Sequence, residues 1–514
     1  MVNTKKKPSH LIETIQSLVV AFVLAMVFRG FVVEGFVIPT GSMAPTLLGQ
    51  HFLKHSDQTG KDFTVGFGAR QSISPDRFSD PLLGRNVPLS MAEAKQIVPR
   101  GGDRVLVLKT LYPFLGPNRF DVVVFKNPTD TQGESANYIK RLIGLPGETI
   151  WVADGDIFAK QNDDIDGEFE IQRKPEYIQR SLWRPVSDTD AIPTNTMALS
   201  RPWQGTPWIA KPRDAWTVEG RTWYCNTASP TVLDWDHTKL DIDDWLPYNM
   251  LMPRTQNEPI SDIRVSATFT PQTSELVASF TLEILQHRLR WMMTQSRASL
   301  WMVNVAGEVV SRVETELDAM KPEAPIRIEC WHADQMMAMY INGSLIAELP
   351  YSFSPEERLR LATNASPSVP VEDIAGRSGT APVLQWQFDG SPFAMTRLQV
   401  DHDLFYRSAR LPSRSTKNPT APGNEALVRL GSPAFGTHPE KLAVLLDDQF
   451  MMAGDNSMYS LDSRLWGNPD EFVAAQIDDS PFVVHRDLLI GKAWGVYWLP
   501  PPLVPDFNRF RFIR

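Results

Sequence analysis

Two segments carry residues that could do chemistry together. Ser42 lies in Phe36-Val37-Ile38-Pro39-Thr40-Gly41-Ser42-Met43-Ala44-Pro45-Thr46-Leu47, shortly after an apolar N-terminal run. Lys140 lies in Tyr138-Ile139-Lys140-Arg141-Leu142-Ile143-Gly144-Leu145-Pro146-Gly147. A serine becomes a nucleophile when it is exposed on a fixed backbone path with a base in hydrogen-bond reach. Pro39 and Gly41 are residues that set such a path. Strand alternation puts Tyr138, Lys140 and Leu142 on one face and Ile139, Arg141 and Ile143 on the other. An ammonium placed among apolar groups loses hydration, which lowers its pKa. Its neutral form can then take a proton from a serine near pH 7. Each residue alone has a plainer account: Gly-Ser in a turn is usually only a turn, and a strand lysine often guards an exposed edge.

A third cluster runs from Gly454 to Arg464. Gly454-Asp455-Asn456-Ser457 is a turn by composition. Asp462 and Arg464 are spaced for a local ion pair, and Ser460 offers a hydroxyl that could donate to or orient the lysine. No zinc-like Cys/His cluster, P-loop or strand-bound GxGxxG occurs, so neither a metal nor a cofactor is expected. Asp154-Gly155-Asp156 and Asp163-Asp164-Ile165-Asp166-Gly167 look briefly like calcium loops. The second lacks the closing Glu, and hairpin and linker turns are the better reading. The net charge of −9 argues against a nucleic-acid partner. Cys225 and Cys330 could pair outside the cytoplasm, or could be two small buried residues in strands.

The elements that must position these groups begin with the N-terminus. Lys5-Lys6-Lys7 precedes an apolar run from Leu11 to Phe28, closed by Arg29. A cleavable signal peptide would need a small-x-small site that Val27-Phe28-Arg29-Gly30-Phe31 does not supply convincingly. A buried helix is possible, because the strict run Leu18 to Phe28 is shorter than a span requires. The favoured expectation is one uncleaved anchor, with Arg29 snorkelling and the lysines held in the cytoplasm.

The 514 residues are too many for one ordinary domain. The expected division is a cytoplasmic tail at 1–10, a transmembrane anchor at 11–29, and a mainly β catalytic domain split between 30–160 and 430–514. Within it, 50–100 reads as an inserted surface loop, with a short helix at Met91 to Ile97. Short strands are expected at Asp103–Lys109, Asp121–Lys126, Tyr138–Ile143 and Thr149–Val152. After a connecting segment at 161–195, tryptophans crowd in and alternating runs recur through 196–408. Asn342-Gly343 between two such runs is a strong hairpin signal. This block is expected to be an antiparallel β-sandwich, loosely similar to laminin-G or concanavalin-like sandwiches. A Pro/Ser/Thr-rich linker at 409–429 leads back out of it.

Taken together, these segments resemble bacterial type I signal peptidases, membrane-anchored Ser–Lys proteases. Pro39 to Leu47 resembles the family's nucleophile motif, with Thr40 in place of its first serine. Gly102 to Val107, Phe120 to Pro128, Tyr138 to Gly147, Gly454 to Arg464 and Ile490 to Ala493 resemble its later blocks, in the same order. Phe120 stands where the family usually has Gly.

The resemblance implies Ser42 as nucleophile and Lys140 as general base. It also implies an oxyanion hole from the Ser42 N–H and the Thr40 hydroxyl, and support from Ser460, Asp462 and Arg464. Phe36, Ile38, Met43, Leu47, Tyr138 and Ile139 would line shallow pockets selecting small residues at −1 and −3. The implied partners are preprotein signal peptides and the lipid bilayer, with a secretion translocon or a ligand of the sandwich as further ones. The implied location is the bacterial cytoplasmic (inner) membrane, single-pass, with the catalytic domain on the extracytoplasmic side. Two other readings remain: a degenerate protease whose sandwich is a tethered binding module, and a self-cleaving repressor-type Ser–Lys protein. The second would need a helix-turn-helix that the sequence does not show.

Overall fold

The structure is a computed structural model of the whole chain. It describes residues 10–56, 59–67, 78–83, 98–130, 137–164, 166–191, 206–252, 256–411, 428–498 and 511–514. The tail at 1–9, the helix expected at Met91 to Ile97, Trp203 and most of the 409–429 linker lie outside them.

Chain segments far apart in sequence build the sheet that carries Lys140. Its strands run in the order Val33–Val37, Arg104–Leu108, Leu489–Trp498, Val122–Lys126, Asn137–Gly144, Gln449–Ala453 and Val484–His485. Every pairing among them is antiparallel. Asn137–Gly144 is therefore an interior strand, with Val123 opposite Lys140 and Met452 opposite Leu142. The edge-lysine account is excluded by this placement. One face buries Ile38, Met43, Leu47, Val122, Val124 and Ile139. The other buries Val123, Phe125, Leu142, Met452 and Trp466.

A smaller sheet holds Glu148–Ala153, Asp156–Gln161, Glu170–Ile171 and Ala443–Val444. Its hairpin turns on Asp154 and Gly155, both at positive φ (48° and 87°). That left-handed pair is the two-residue turn that matches strand twist, so Asp154-Gly155-Asp156 is a hairpin turn.

Between these parts of the chain lie two larger antiparallel sheets. One contains Arg184–Asp188, Trp216–Glu219, Thr222–Cys225, Ile263–Pro271, Ile326–Ala333, Met336–Ile341, Ser344–Pro350 and Phe393–His402. The other contains Trp208–Lys211, Thr231–Trp235, Val277–Ile284, His287–Met293, Arg297–Asn304, Val309–Glu316 and Val383–Asp389. Their inner faces share one apolar core. Trp386 of the second sheet meets Phe269 of the first at 5.4 Å between ring centroids. Trp291 Nε1 donates across to the Ala338 carbonyl at 2.9 Å. Asn342 and Gly343 form the expected hairpin turn at φ 52° and 85°. Cys225 and Cys330 are buried free thiols in strands.

Two expectations need correction. The stretch 50–100 is not simply a loop: His51–His55, Asp62–Gly66 and Val98–Arg100 form a three-stranded sheet over Phe52, Phe63, Val65 and Phe78. His51–His55 gives this core only Phe52 and Asp62–Gly66 only Phe63 and Val65, and the polar composition around them hides the alternation. The segment 161–195 is not only a connector either. Arg184–Asp188 pairs with Phe393–His402.

The N-terminal helix covers His10–Phe31. Among the described residues, no helix is long and apolar enough to cross a membrane.

A buried charge network ties the small sheet to the paired sheets. Arg358, on the helix Pro355–Thr363, donates Nε to Asp154 at 2.9 Å. It also pairs with Asp156 at 2.9 Å and Asp262 at 3.3 Å. Lys174 pairs with Asp334 and, at 2.9 Å, with Asp403. Asp156, Asp262 and Asp334 converge closely enough to hold an ion, but Arg358 and Lys174 already supply the positive charge. Removing one partner of such a cluster strands buried carboxylates. Arg358→Leu is therefore expected to cost about 3–5 kcal/mol, read as a lower midpoint in chemical denaturation at pH 7.

Candidate active site

Ser42 sits where the chain leaves the strand Val33–Val37 and turns back under the sheet. The Ile38 N–H donates to the Asp103 carbonyl at 2.9 Å, and the Asp103 N–H donates to the Leu48 carbonyl at 2.8 Å. The Asp103 carboxylate accepts from the Leu48 N–H at 2.9 Å. Residues 38–48 are thus closed into a loop at its neck. Two glycines allow the crossing. A Cβ on Gly102 would stand 1.6 Å from the Ile38 carbonyl oxygen, and one on Gly49 would stand 2.3 Å from the Thr40 carbonyl carbon. Inside the loop, Ala44 N–H donates to Gly41 C=O at 3.0 Å and Leu47 N–H to Met43 C=O at 2.8 Å.

Lys140 reaches this loop from the interior strand. Its Nζ donates a short hydrogen bond to Ser42 Oγ across 98 residues of sequence. Both residues are buried, at 3% and 9% exposure. Burial pushes the Lys140 amine down to about 8. Asp462 and Asp455 pull it back up, and Arg464 pushes it further down. Its stem lies by Tyr138, with Nζ 5.4 Å from the ring centroid.

The two nearby carboxylates are each engaged by an arginine. Arg141 donates Nε and Nη2 to the two oxygens of Asp455 at 2.8 and 2.7 Å. Thr46 Oγ1 also donates to Asp455. Arg464 donates Nε and Nη2 to the two oxygens of Asp462 at 2.9 and 2.8 Å. Burial alone would raise both carboxyls; the arginines hold them below the usual carboxylate range. The Asp462 carboxylate also accepts from the Gly454 N–H at 2.9 Å. The next turn then meets the Ser42 loop: Asn456 N–H donates to the Ser42 carbonyl at 3.0 Å. Gly454 must be small here, since a Cβ would stand 2.5 Å from the Ser42 carbonyl oxygen.

The structure therefore brings together Ser42, Lys140, Asp462 and Arg464. Ser460 is buried beside Gly454, where its hydroxyl helps hold the Asp462 carboxyl down; it is not among the hydrogen-bond partners of Lys140. Thr40 is exposed two residues before Ser42. The six expected pocket residues divide. Met43 and Leu47 are wholly buried, at 0%, and support the loop from beneath. Ile38 and Ile139 join them in one core cluster, with Phe36 packed against it. Tyr138 packs with the opposite face. Phe36 and Tyr138 are the two that keep substantial exposed surface.

Three residues of this site were not singled out from the sequence: Arg141, Asp455 and Thr46. The side chain of Arg141 faces away from the apolar face that drew notice to Lys140. Its partner lies 314 residues on.

The family described as "Signal peptidase, peptidase S26" matches residues 90–199, a stretch that includes Lys140 but not Ser42. A "Signal peptidase I" of Buchnera aphidicola subsp. Acyrthosiphon pisum is 30% identical over 149 residues, 29% of this chain and 34% of that protein. One from Rickettsia typhi is 31% identical over 135 residues, 26% and 38%. One from Leptolyngbya laminosa is 30% identical over 177 residues, 34% and 60%. The chain thus spans about a third to three fifths of these relatives' lengths. A carbohydrate-binding module from Bacillus subtilis overlays 38% of this chain and 96% of its own, at 7% identity and a TM-score of 0.23. That score is too low to bear on fold or ligand. The matched segment and these relatives make the chain similar to signal peptidases of peptidase family S26 over part of its length.

Proposed function

We propose that this protein is a membrane-anchored serine endopeptidase that removes signal peptides from translocated preproteins. The observation that carries the reading is the buried contact between Lys140 Nζ and Ser42 Oγ. In its neutral form the Lys140 amine accepts the Ser42 proton as Oγ attacks the scissile carbonyl. The proton then passes to the leaving amine, and Lys140 activates the water that releases the acyl-enzyme. The developing oxyanion would be met by the Ser42 N–H and the Thr40 hydroxyl; the exposure of Thr40 is compatible with that role. Phe36 and Tyr138 have the exposed apolar surface that can select small side chains at −1 and −3.

Anchoring is supported by the N-terminal helix. Leu18, Val19, Val20, Phe22, Val23 and Leu24 are each more than half exposed. A helix apolar on all sides is suited to lipid rather than water. It enters Val33–Val37 directly, which would keep Ser42 close to the bilayer on the extracytoplasmic side of a bacterial cytoplasmic membrane. A substrate whose apolar segment remains in lipid would present its cleavage site there.

Three outcomes are expected. Ser42→Ala and Lys140→Ala, reconstituted in vesicles, should each lower preprotein cleavage by at least about a thousandfold; two active mutants would end the assignment. The rate should rise with pH through about 8 as Lys140 loses its proton, and a basic limb near 10.4, the ordinary lysine value, would refute the burial argument. Stability should follow the same proton. The unfolded chain holds it up to about 10.4, whereas the folded chain loses it near 8. Wild type therefore gains stability as pH rises between these values. Lys140→Met removes the buried cation, so thermal melts should show it at least as stable as wild type at pH 7, with its advantage shrinking toward pH 10.

A further inference from the structure

Ser42, Lys140, Asp462 and Arg464 all lie outside the two large sheets, and the family match meets those sheets only at Arg184–Asp188 among the described residues, yet one short segment between their strands touches the Ser42 loop. It is the single turn Pro247–Asn249, which follows Thr231–Trp235 and precedes Ile263–Pro271.

Asn249 is buried and faces Asn456 in a reciprocal amide pair. Asn249 Nδ2 donates to Asn456 Oδ1 at 2.8 Å, and Asn456 Nδ2 donates to Asn249 Oδ1 at 2.8 Å. Asn456 uses the rest of its hydrogen bonding on the serine loop. Its backbone N–H donates to Ser42 C=O, and Nδ2 also donates to Gly41 C=O, both at 3.0 Å. The plane of the Asn456 carboxamide therefore decides whether the Gly41 carbonyl is held beside the Ser42 carbonyl that the Asn456 backbone holds, and Asn249 fixes that plane through both of its amide bonds. Tyr248 adds a wall. A Cβ on Gly41 would stand 2.1 Å from its ring, and its hydroxyl donates to Gln50 C=O at 3.0 Å.

We propose that Asn249 is a positioning residue for Ser42, acting through Asn456, so that the region between the two halves of the catalytic sheet supplies part of the active-site framework. This rests on the Ser42–Lys140 reading for its catalytic consequence, but not for its structural one. Ser42 must stay within reach of an amine that a strand holds still. Between its neck and the Thr46 bond to Asp455, the loop around Ser42 has freedom that two fixed carbonyls remove. The amide pair forms no contact with Ser42 Oγ, so its loss should slow the chemical step and leave substrate binding alone.

The test uses the full chain in detergent micelles, with Asn249→Ala, Asn456→Ala and the double variant. Asn249→Ala should lower kcat tenfold or more with KM within twofold. In the Asn456→Ala background it should cost less than a further twofold, because the two act as one unit. Amide hydrogen exchange should quicken in peptides covering 41–48 and 454–460, with 263–402 as protected as in wild type.

An unchanged exchange pattern, a kcat within twofold of wild type, or multiplicative losses in the double variant would each overturn the proposal. If Asn249→Ala loosens 263–402 as well, Asn249→Asp decides by the same criteria. It keeps the size and the accepted bond while losing the donated one. If wild type cleaves no preprotein, the protease reading fails, and exchange alone decides whether Asn249 holds the loop.

Discussion

The site depends on keeping a lysine amine buried without giving it a carboxylate of its own. Asp455 and Asp462 both lie near enough to Lys140 to raise its pKa, and either one alone beside it would hold the proton in place. Arg141 and Arg464 each take one of them in a two-pronged pair. Burial is then the larger influence on the amine. Two ion pairs are thus present less for stability, where buried pairs contribute little net, than to prevent a third.

The surrounding architecture serves that arrangement. Lys140 and Arg141 are consecutive on an interior strand, so alternation sends the lysine one way and the clamp on Asp455 the other. The same turn that carries Asp455 continues into Asn456, which grips the Ser42 carbonyl. Arg184, from one of the large sheets, donates to the Asp455 carbonyl at 2.8 Å. Arg407, just after that sheet, accepts at its carbonyl from Arg464 at 3.0 Å. Glycines at 49, 102 and 454 permit backbone crossings that any side chain would block. Ser42, Lys140 and the counter-charges around them are therefore fixed by one connected set of contacts.

Much of this was legible in the sequence where the signal is local. Alternation marked the strand around Lys140 within a residue of its ends, and Asn342-Gly343 and Asp154-Gly155 declared their turns through residues that tolerate positive φ. Asp462 and Arg464 declared a pair through spacing alone. What stayed hidden is non-local or numerically faint. Asp455 looked like a turn aspartate because its partner is far along the chain. The strands at His51–His55 and Asp62–Gly66 each bury too few apolar side chains to stand out from their polar setting. The family resemblance implied Met43 and Leu47 as pocket walls, but a place in a motif says nothing about which way a side chain packs. Asn249 carried no signal, since an asparagine after Pro-Tyr is an ordinary turn residue.

The strand of Lys140 is bordered on one side by Val122–Lys126 and on the other by Gln449–Ala453. The first neighbour is made early in synthesis and the second only after some three hundred more residues have followed. The clamp on Asp455 and the grip on Ser42 arrive with that late segment. A chain still emerging N-terminus first has its serine and its lysine but lacks the parts that hold them in register. The long stretch between the two halves thus sets an order of assembly: the contacts that hold Ser42 and Lys140 in register are made last.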